Sequence, residues 1–173
     1  KVGHSVRSIT DAIQVANEDM QSKTSLIEAR LIAGNAELFK IFQRQLVDKC
    51  VSGHEDEYLE MRVKDQAARH AKHGNSATMQ EPNIKNGCGG LRDYHNIMWV
   101  SRVKRGITDL KDLVKEKSLT PKAYQEINEA YDFLHRVRNE LHYETGKASD
   151  ILTLRFQGIV ATSFDYPQKS ILR

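Results

Sequence analysis

The sequence predicts an all-α fold, an antiparallel helical bundle, and three observations carry that expectation. Apolar residues recur at helical spacing in one segment after another, Ser, Thr, Asn and Gly punctuate those segments as starts and stops, and only Lys1–Val6 has any strand character. Hydrophobic residues make up 39% of the 173 and charged residues 28%, with 3 Pro, which excludes a disordered, collagenous or disulfide-stapled chain. The two cysteines, Cys50 and Cys88, lie far apart in no zinc-like spacing, as free thiols of a reducing, cytoplasmic compartment would. No apolar run approaches the roughly 20 residues of a membrane span. The first residue is Lys1 rather than Met, so the sequence is expected to start inside a longer polypeptide.

The elements follow in order. Ile9, Ala12, Ile13, Ala16 and Met20 make the apolar stripe of a first helix beginning near Ser8. Ser25-Leu-Ile-Glu28 has the form of a capping box and predicts a second helix from Ser25 to about Gly34. Asn35 caps a third, patterned by Leu38, Ile41, Phe42 and Leu46 and ending near Gly53. Glu55–His73 reads as a more polar fourth helix with Leu59, Val63 and Ala67 on one face. Periodicity stops between Gly74 and Gly90, an irregular stretch of a length that is often functional. A helix from Leu91 to about Lys104 and a short one around Asp109–Lys117 come next. Thr120 as N-cap, Pro121 at the first helical position and Gly146 as the stop frame a long helix whose seam is Tyr124, Ile127, Tyr131, Leu134, Arg138 and Leu141. Ile151–Ala161 closes the series.

Charge is uneven along the chain. Residues 36–60 hold three basic and six acidic side chains, a net of −3, whereas residues 61–105 hold nine basic and three acidic, a net of +6. The basic middle, which also carries His70, His73 and His95, is the surface suited to an anion such as a nucleotide phosphate, or is a solvated helix face. Basic runs interleaved with aromatics are missing, so DNA is not an expected partner.

Two clusters could bear chemistry. In Glu81-Pro-Asn-Ile-Lys85-Asn-Gly87-Cys-Gly89-Gly90-Leu-Arg92-Asp93, the glycines could aim backbone N–H groups at a phosphate just before a helix N-terminus, with Lys85 and Arg92 beside it. The alternative is a structural turn in which Asp93 simply favours the helix dipole. In His135-Arg136-Val-Arg138-Asn139-Glu140-Leu-His142, Arg138 and His142 share one face, as do His135 and Asn139, either as a hydrogen-bonded network or as a ligand or partner surface. Arg136 to His142 also fits the short Arg-x(4–6)-His signature of HEPN-type helical ribonucleases. His70 and His73, three apart, lack a carboxylate to complete a metal site, and Cys88 has no sequence partner for nucleophilic catalysis.

Four stretches in one order resemble a single family: Gly3-His-Ser-Val-Arg7; Thr24-Ser-Leu-Ile-Glu-Ala-Arg-Leu-Ile-Ala-Gly34; Glu81-Pro-Asn-Ile-Lys85 with Gly89-Gly-Leu-Arg-Asp93; and Phe133-Leu-His-Arg-Val-Arg138 with Leu141-His142 and Thr145-Gly146. They are similar to the PII-protein uridylyltransferase/uridylyl-removing enzymes, bacterial nitrogen sensors of signal transduction. Cys88 stands where that family usually has proline. The resemblance implies that residues 1–20 are the trailing edge of a nucleotidyltransferase domain, Lys1–Val6 being a remnant of its sheet, and that 21–173 are the helical bundle following it. The Gly-Ser and Asp-x-Asp motif that binds nucleotide and Mg²⁺ lies outside these residues, so this stretch has no catalytic residue, metal or cofactor of its own. Mg²⁺ and UTP are implied for the full-length enzyme and a PII-like protein as its partner. His4, Ser5, Arg7, Lys85, Arg92, Asp93, Arg136, Arg138 and His142 are the expected nucleotide- or partner-contacting residues. A HEPN-like ribonuclease using Arg136 and His142, or a plain protein-binding helical module, is the alternative.

Overall fold

The computed structural model describes residues 3–166. Within them the chain is all-α, with eight α-helices, one π-helical turn and no strand. The expected strand at Lys1–Val6 begins outside the described residues, and its described part, residues 3–6, pairs with nothing as a strand. No helix among the described residues is long and apolar enough to cross a membrane. The chain divides into two compact units, residues 1–62 and 63–173.

The first unit holds α1 (Ile9–Glu18), α2 (Met20–Ile27), α3 (Ala36–Leu46), the π-helical turn Val47–Val51 and the start of α4 (Glu55–Lys72). The predicted start at Ser8 is a true capping box: Ser8 Oγ accepts from the Asp11 amide at 3.1 Å, and the Asp11 carboxylate accepts from the Ser8 amide. The second helix does not start at Ser25. Asp19 ends α1 and caps α2 by accepting from the Ser22 amide at 2.6 Å, so the chain is already helical when it reaches Ser25. Ser25 sits in the last turn and donates its hydroxyl to the Gln21 carbonyl, and the helix stops at Ile27 rather than near Gly34. The Ser22 hydrogen bonds also hold the Asp19 carboxyl below its ordinary pKa.

Ala12, Ile13 and Ala16 of α1, Ile27 of α2, Leu46, Cys50 and Tyr58 form the first unit's core. The Tyr58 and Thr24 hydroxyls meet at 2.8 Å within it, so the polar end of the tyrosine is satisfied where it is buried. Burial pushes the Cys50 thiol up, its Sγ facing the Ile13 carbonyl. Asn35 caps α3 as predicted, accepting from Glu37 and Leu38 amides. Leu38 and Ile41 of α3 nevertheless remain exposed. In α4 the buried residues are Tyr58 and Arg62, not the expected face, since Val63 is 56% exposed and Ala67 is also exposed. A rotation of about 100° separates the two faces, the turn made by one residue.

The second unit holds the rest of α4, the irregular segment 74–90, α5 (Leu91–Arg105), α6 (Leu110–Lys115), α7 (Pro121–Thr145) and α8 (Leu154–Ser163). The framing of α7 is as predicted: Thr120 Oγ1 accepts from the Ala123 amide, Pro121 opens the helix, and Gly146 ends it at φ +63°, a left-handed conformation that costs a side chain but not glycine. Tyr94 of α5 stacks on Tyr131, whereas Met98 joins Tyr124 and Ile127, so α5 runs antiparallel to α7. Phe164 meets Phe133 while Val160 joins Val137 and Leu141, which makes α8 antiparallel to α7 as well.

Two apolar clusters share α7 between them. Ile107, Leu110 and Leu113 pack with its first half, and Ile84, Val137, Leu141 and Val160 with its second. Leu141 is fully buried, a burial worth about 2 kcal/mol. Ile84 brings the irregular segment into the second cluster. The Ile84 amide donates to the Asp150 carbonyl at 2.9 Å and the Leu152 amide to the Pro82 carbonyl at 3.0 Å, an isolated antiparallel bridge centred on Asn83 and Ile151.

Candidate functional site

The irregular segment closes on itself. Asn83 Oδ1 accepts from the Lys85 and Asn86 amides, and the Asn83 carbonyl accepts from Gly87 at 2.8 Å. Gly90 then donates to Gly87, Leu91 to Ile84 and Arg92 to Lys85, all within 3.0 Å. A Cβ on Gly90 would stand 2.9 Å from the Ile84 carbonyl oxygen and 3.0 Å from those of Gly87 and Lys85. Glycine is therefore required there by close approach of the backbone, not by a ligand. The Gly89 amide donates to Asp93 Oδ2 at 2.8 Å. The acceptor that the Gly89 amide faces is the chain's own Asp93 carboxylate, in line with the structural-turn alternative.

Asp93 is also the acceptor for three side chains of α4. Arg69 reaches it at 2.7 Å, His70 Nε2 lies 3.0 Å from both its oxygens, and Gln66 donates at 3.2 Å. Arg69 donates in addition to the Asn86 carbonyl, so one guanidinium ties α4 to both ends of the turn. Partial burial would raise the Asp93 pKa, but the hydrogen bonds from Arg69, the Gly89 amide, His70 and Gln66 outweigh it and hold the carboxyl below its ordinary value.

A second carboxylate, Asp150, lies between α7 and the start of α8. Arg138 Nε donates to Oδ1 at 2.7 Å, His142 Nε2 stands 3.5 Å from the same oxygen, and Lys85 Nζ is 3.8 Å from Oδ2. Burial acts to raise this pKa too, and the Arg138 hydrogen bond and charge, with Lys85 and His142 behind it, lower it. The i, i+4 spacing of Arg138 and His142 thus becomes a shared approach to one acceptor, which Lys85 joins from the irregular segment.

The other expected residues lie apart from this cluster. Arg92 lies over the Trp99 ring at 5.3 Å and Arg136 over Phe164 at 4.8 Å, both cation–π placements. Arg136 and His142 are six apart on a continuous helix, about 240° around its axis, and meet different partners, Phe164 and Asp150. His4, Ser5 and Arg7 are exposed in the first unit, where Ser5 and Arg7 line a groove of about 410 Å³ with Ile9, Leu31, Leu38 and Phe42. Cys88 is half-buried with Sγ 3.8 Å from the Gly74 carbonyl. His70 does have a carboxylate neighbour, Asp93, while His73 meets Asn83 instead. Among the described residues no group of three or more His, Cys, Asp and Glu side chains is placed to hold a metal ion.

Arg69, Gln66 and Asp150 were missed. Arg69 and Gln66 lie on the polar stripe of α4, one turn apart and next to His70, a spacing that marks a shared acceptor but does not identify it. Asp150 follows the Gly146 stop and has no local signal at all.

The family model described as GlnD PII-uridylyltransferase matches residues 57–172. A bifunctional uridylyltransferase/uridylyl-removing enzyme of Azospirillum brasilense is 35% identical over 166 residues, which are 96% of this chain and 18% of that protein. The chain therefore spans under a fifth of the length of that curated relative. No solved structure matches it.

Proposed function

The chain belongs to the GlnD PII-uridylyltransferase family, and from that premise we propose that it is the helical region of a nucleotidyltransferase that uridylylates a PII signalling protein in nitrogen regulation. Its part is to position substrate, while the transfer chemistry resides elsewhere in the parent protein. The observation that supports this reading is the state of the two carboxylate networks, at Asp93 and Asp150. Asp93 and Asp150 are each engaged by cationic side chains, whereas a carboxylate that binds Mg²⁺ for in-line transfer must be open to the metal. The donor set in these residues, carboxylates already paired with cations, does not fit the Mg²⁺ that such a transfer uses. UTP, Mg²⁺ and the PII tyrosine would be brought together by the remainder of the parent enzyme in the cytoplasm.

Arg7 and Arg92 carry the test. Replacing each with Ala in the full-length parent is expected to raise KM for UTP or for PII several-fold with kcat changed less, while thermal unfolding stays put. Wild-type KM values for both substrates in both variants would remove the positioning role.

A further inference from the structure

We infer that Lys85, Arg138 and His142 form a binding site for a phosphoryl anion, in which Asp150 holds the three basic groups together and is partly displaced by the ligand. The starting point is a mismatch of charge and distance. One carboxylate faces two permanent cations and an imidazole, yet only Arg138 bonds it closely, at 2.7 Å. His142 at 3.5 Å and Lys85 at 3.8 Å are within reach of its field but outside good hydrogen-bond distance. The His142 Nε2 atom is buried and makes no hydrogen bond. Arg138 uses Nε for Asp150, and its two terminal nitrogens make no hydrogen bond among the described residues.

Asp93 provides the control inside the same unit. There, four donors converge at 2.7 to 3.2 Å and little capacity is left over. At Asp150 only one of three basic groups bonds closely, and the three come from three directions: the irregular segment, and two successive turns of α7. A tetrahedral phosphoryl group offers three oxygens to such an arrangement where a carboxylate offers two. The negative end of the α7 dipole offsets part of one positive charge, not of three. The side chains of Lys85 and Arg138 are 34% and 25% exposed, so a ligand meets them from solvent, and it reaches the buried His142 Nε2 by displacing the Asp150 carboxylate.

This inference deepens the reading of the chain as a substrate-positioning region, and its experiment fails separately from the one on Arg7 and Arg92. Pyrophosphate is titrated into the 173-residue chain at low ionic strength, following the His142 ring by long-range proton–nitrogen correlation and the heat of binding. Saturable binding that moves the His142 nitrogens is expected. Lys85→Ala should weaken it roughly tenfold, the loss of one charge-assisted contact, with the melting temperature unchanged. Asp150→Asn, which removes the competing internal anion, should tighten it by a similar factor; should that variant not fold, Arg138→Lys replaces it and is expected to weaken binding. UTP binding more tightly than pyrophosphate would assign the site to nucleotide, and equal binding to the free phosphate product, while uridine should not bind. Absence of a saturable His142 shift, or equal affinity in the wild type and Lys85→Ala, overturns the site.

Discussion

Asp93 and Asp150 hold the same formal inventory of neighbours, an arginine, a histidine and part of the irregular segment, and put it to different use. Around Asp93 the donors are short, four-fold and drawn in part from backbone, which closes the turn before α5 like a fastener. Around Asp150 a single short bond stands among longer approaches. Distance, more than residue type, separates a carboxylate that maintains a fold from one that leaves basic groups with capacity to spare.

Breaking the Asp93 network should give the largest effect. Asp93→Ala leaves Arg69, His70 and the Gly89 amide without their acceptor at a largely buried position, and is expected to destabilise the chain by about 3 kcal/mol in urea unfolding. A loss below about 1 kcal/mol would place Asp93 with Asp150 and collapse the distinction. Next comes Gly90→Ala, which forces a Cβ against three carbonyl oxygens and should cost about 2 kcal/mol. Gly89→Ala has open space but a φ of +71°, so about 1 kcal/mol is expected from backbone strain alone. If the two alanine variants melt alike, close packing of the turn is not what Gly90 provides. Asp150→Asn, losing one close bond, should cost about 1 kcal/mol.

The smallest effect is a matter of slope. Both carboxyls have folded pKa values below their unfolded ones, so their stabilisation is fully present above the ordinary carboxylate range and is lost as the pH falls through the depressed values. Stability should thus decline from about pH 4 downward. Asp93→Asn should flatten that decline more than Asp150→Asn does, and equal flattening would say that the two sites are held equally tightly.

How much of this was legible in the sequence follows from range. Local chemistry was readable: the start at Ser8, Asn35, and Thr120-Pro121 with Gly146 act within four residues of themselves, and the structure places each as expected. The second helix was misread because Ser25-x-x-Glu28 satisfies the capping pattern, while the true cap, Asp19, lacks a reciprocal acid three residues on and so looks ordinary. Choosing between two such signals takes knowledge of where the previous helix ended. The face of α4 was misplaced for another reason: Arg62 and Tyr58 bury long amphipathic bodies that hydrophobic patterning does not count. In the candidate site, the positions of Arg138 and His142 on one face were visible, but their acceptor lies beyond the helix stop. The glycine turn was recognisable as special, yet whether its amides face outward or inward depends on a carboxylate four residues later and a guanidinium from the preceding helix.

The bridge between Pro82–Ile84 and Asp150–Leu152 bears on the order of assembly. The Glu81 carboxylate accepts from the Leu154 amide across 73 positions of sequence, beside a bridge of comparable span. Contacts so distant along the chain are reached only after the intervening helices have shortened the loop they must close. α7 can nucleate on its own caps, but the irregular segment has to wait for the chain to return from beyond Gly146. A ribosome that has released residues 1–140 has therefore made every part of the glycine turn and none of the strap that holds it down, and amide exchange at Ile84 and Leu152 should record that late closure as early opening.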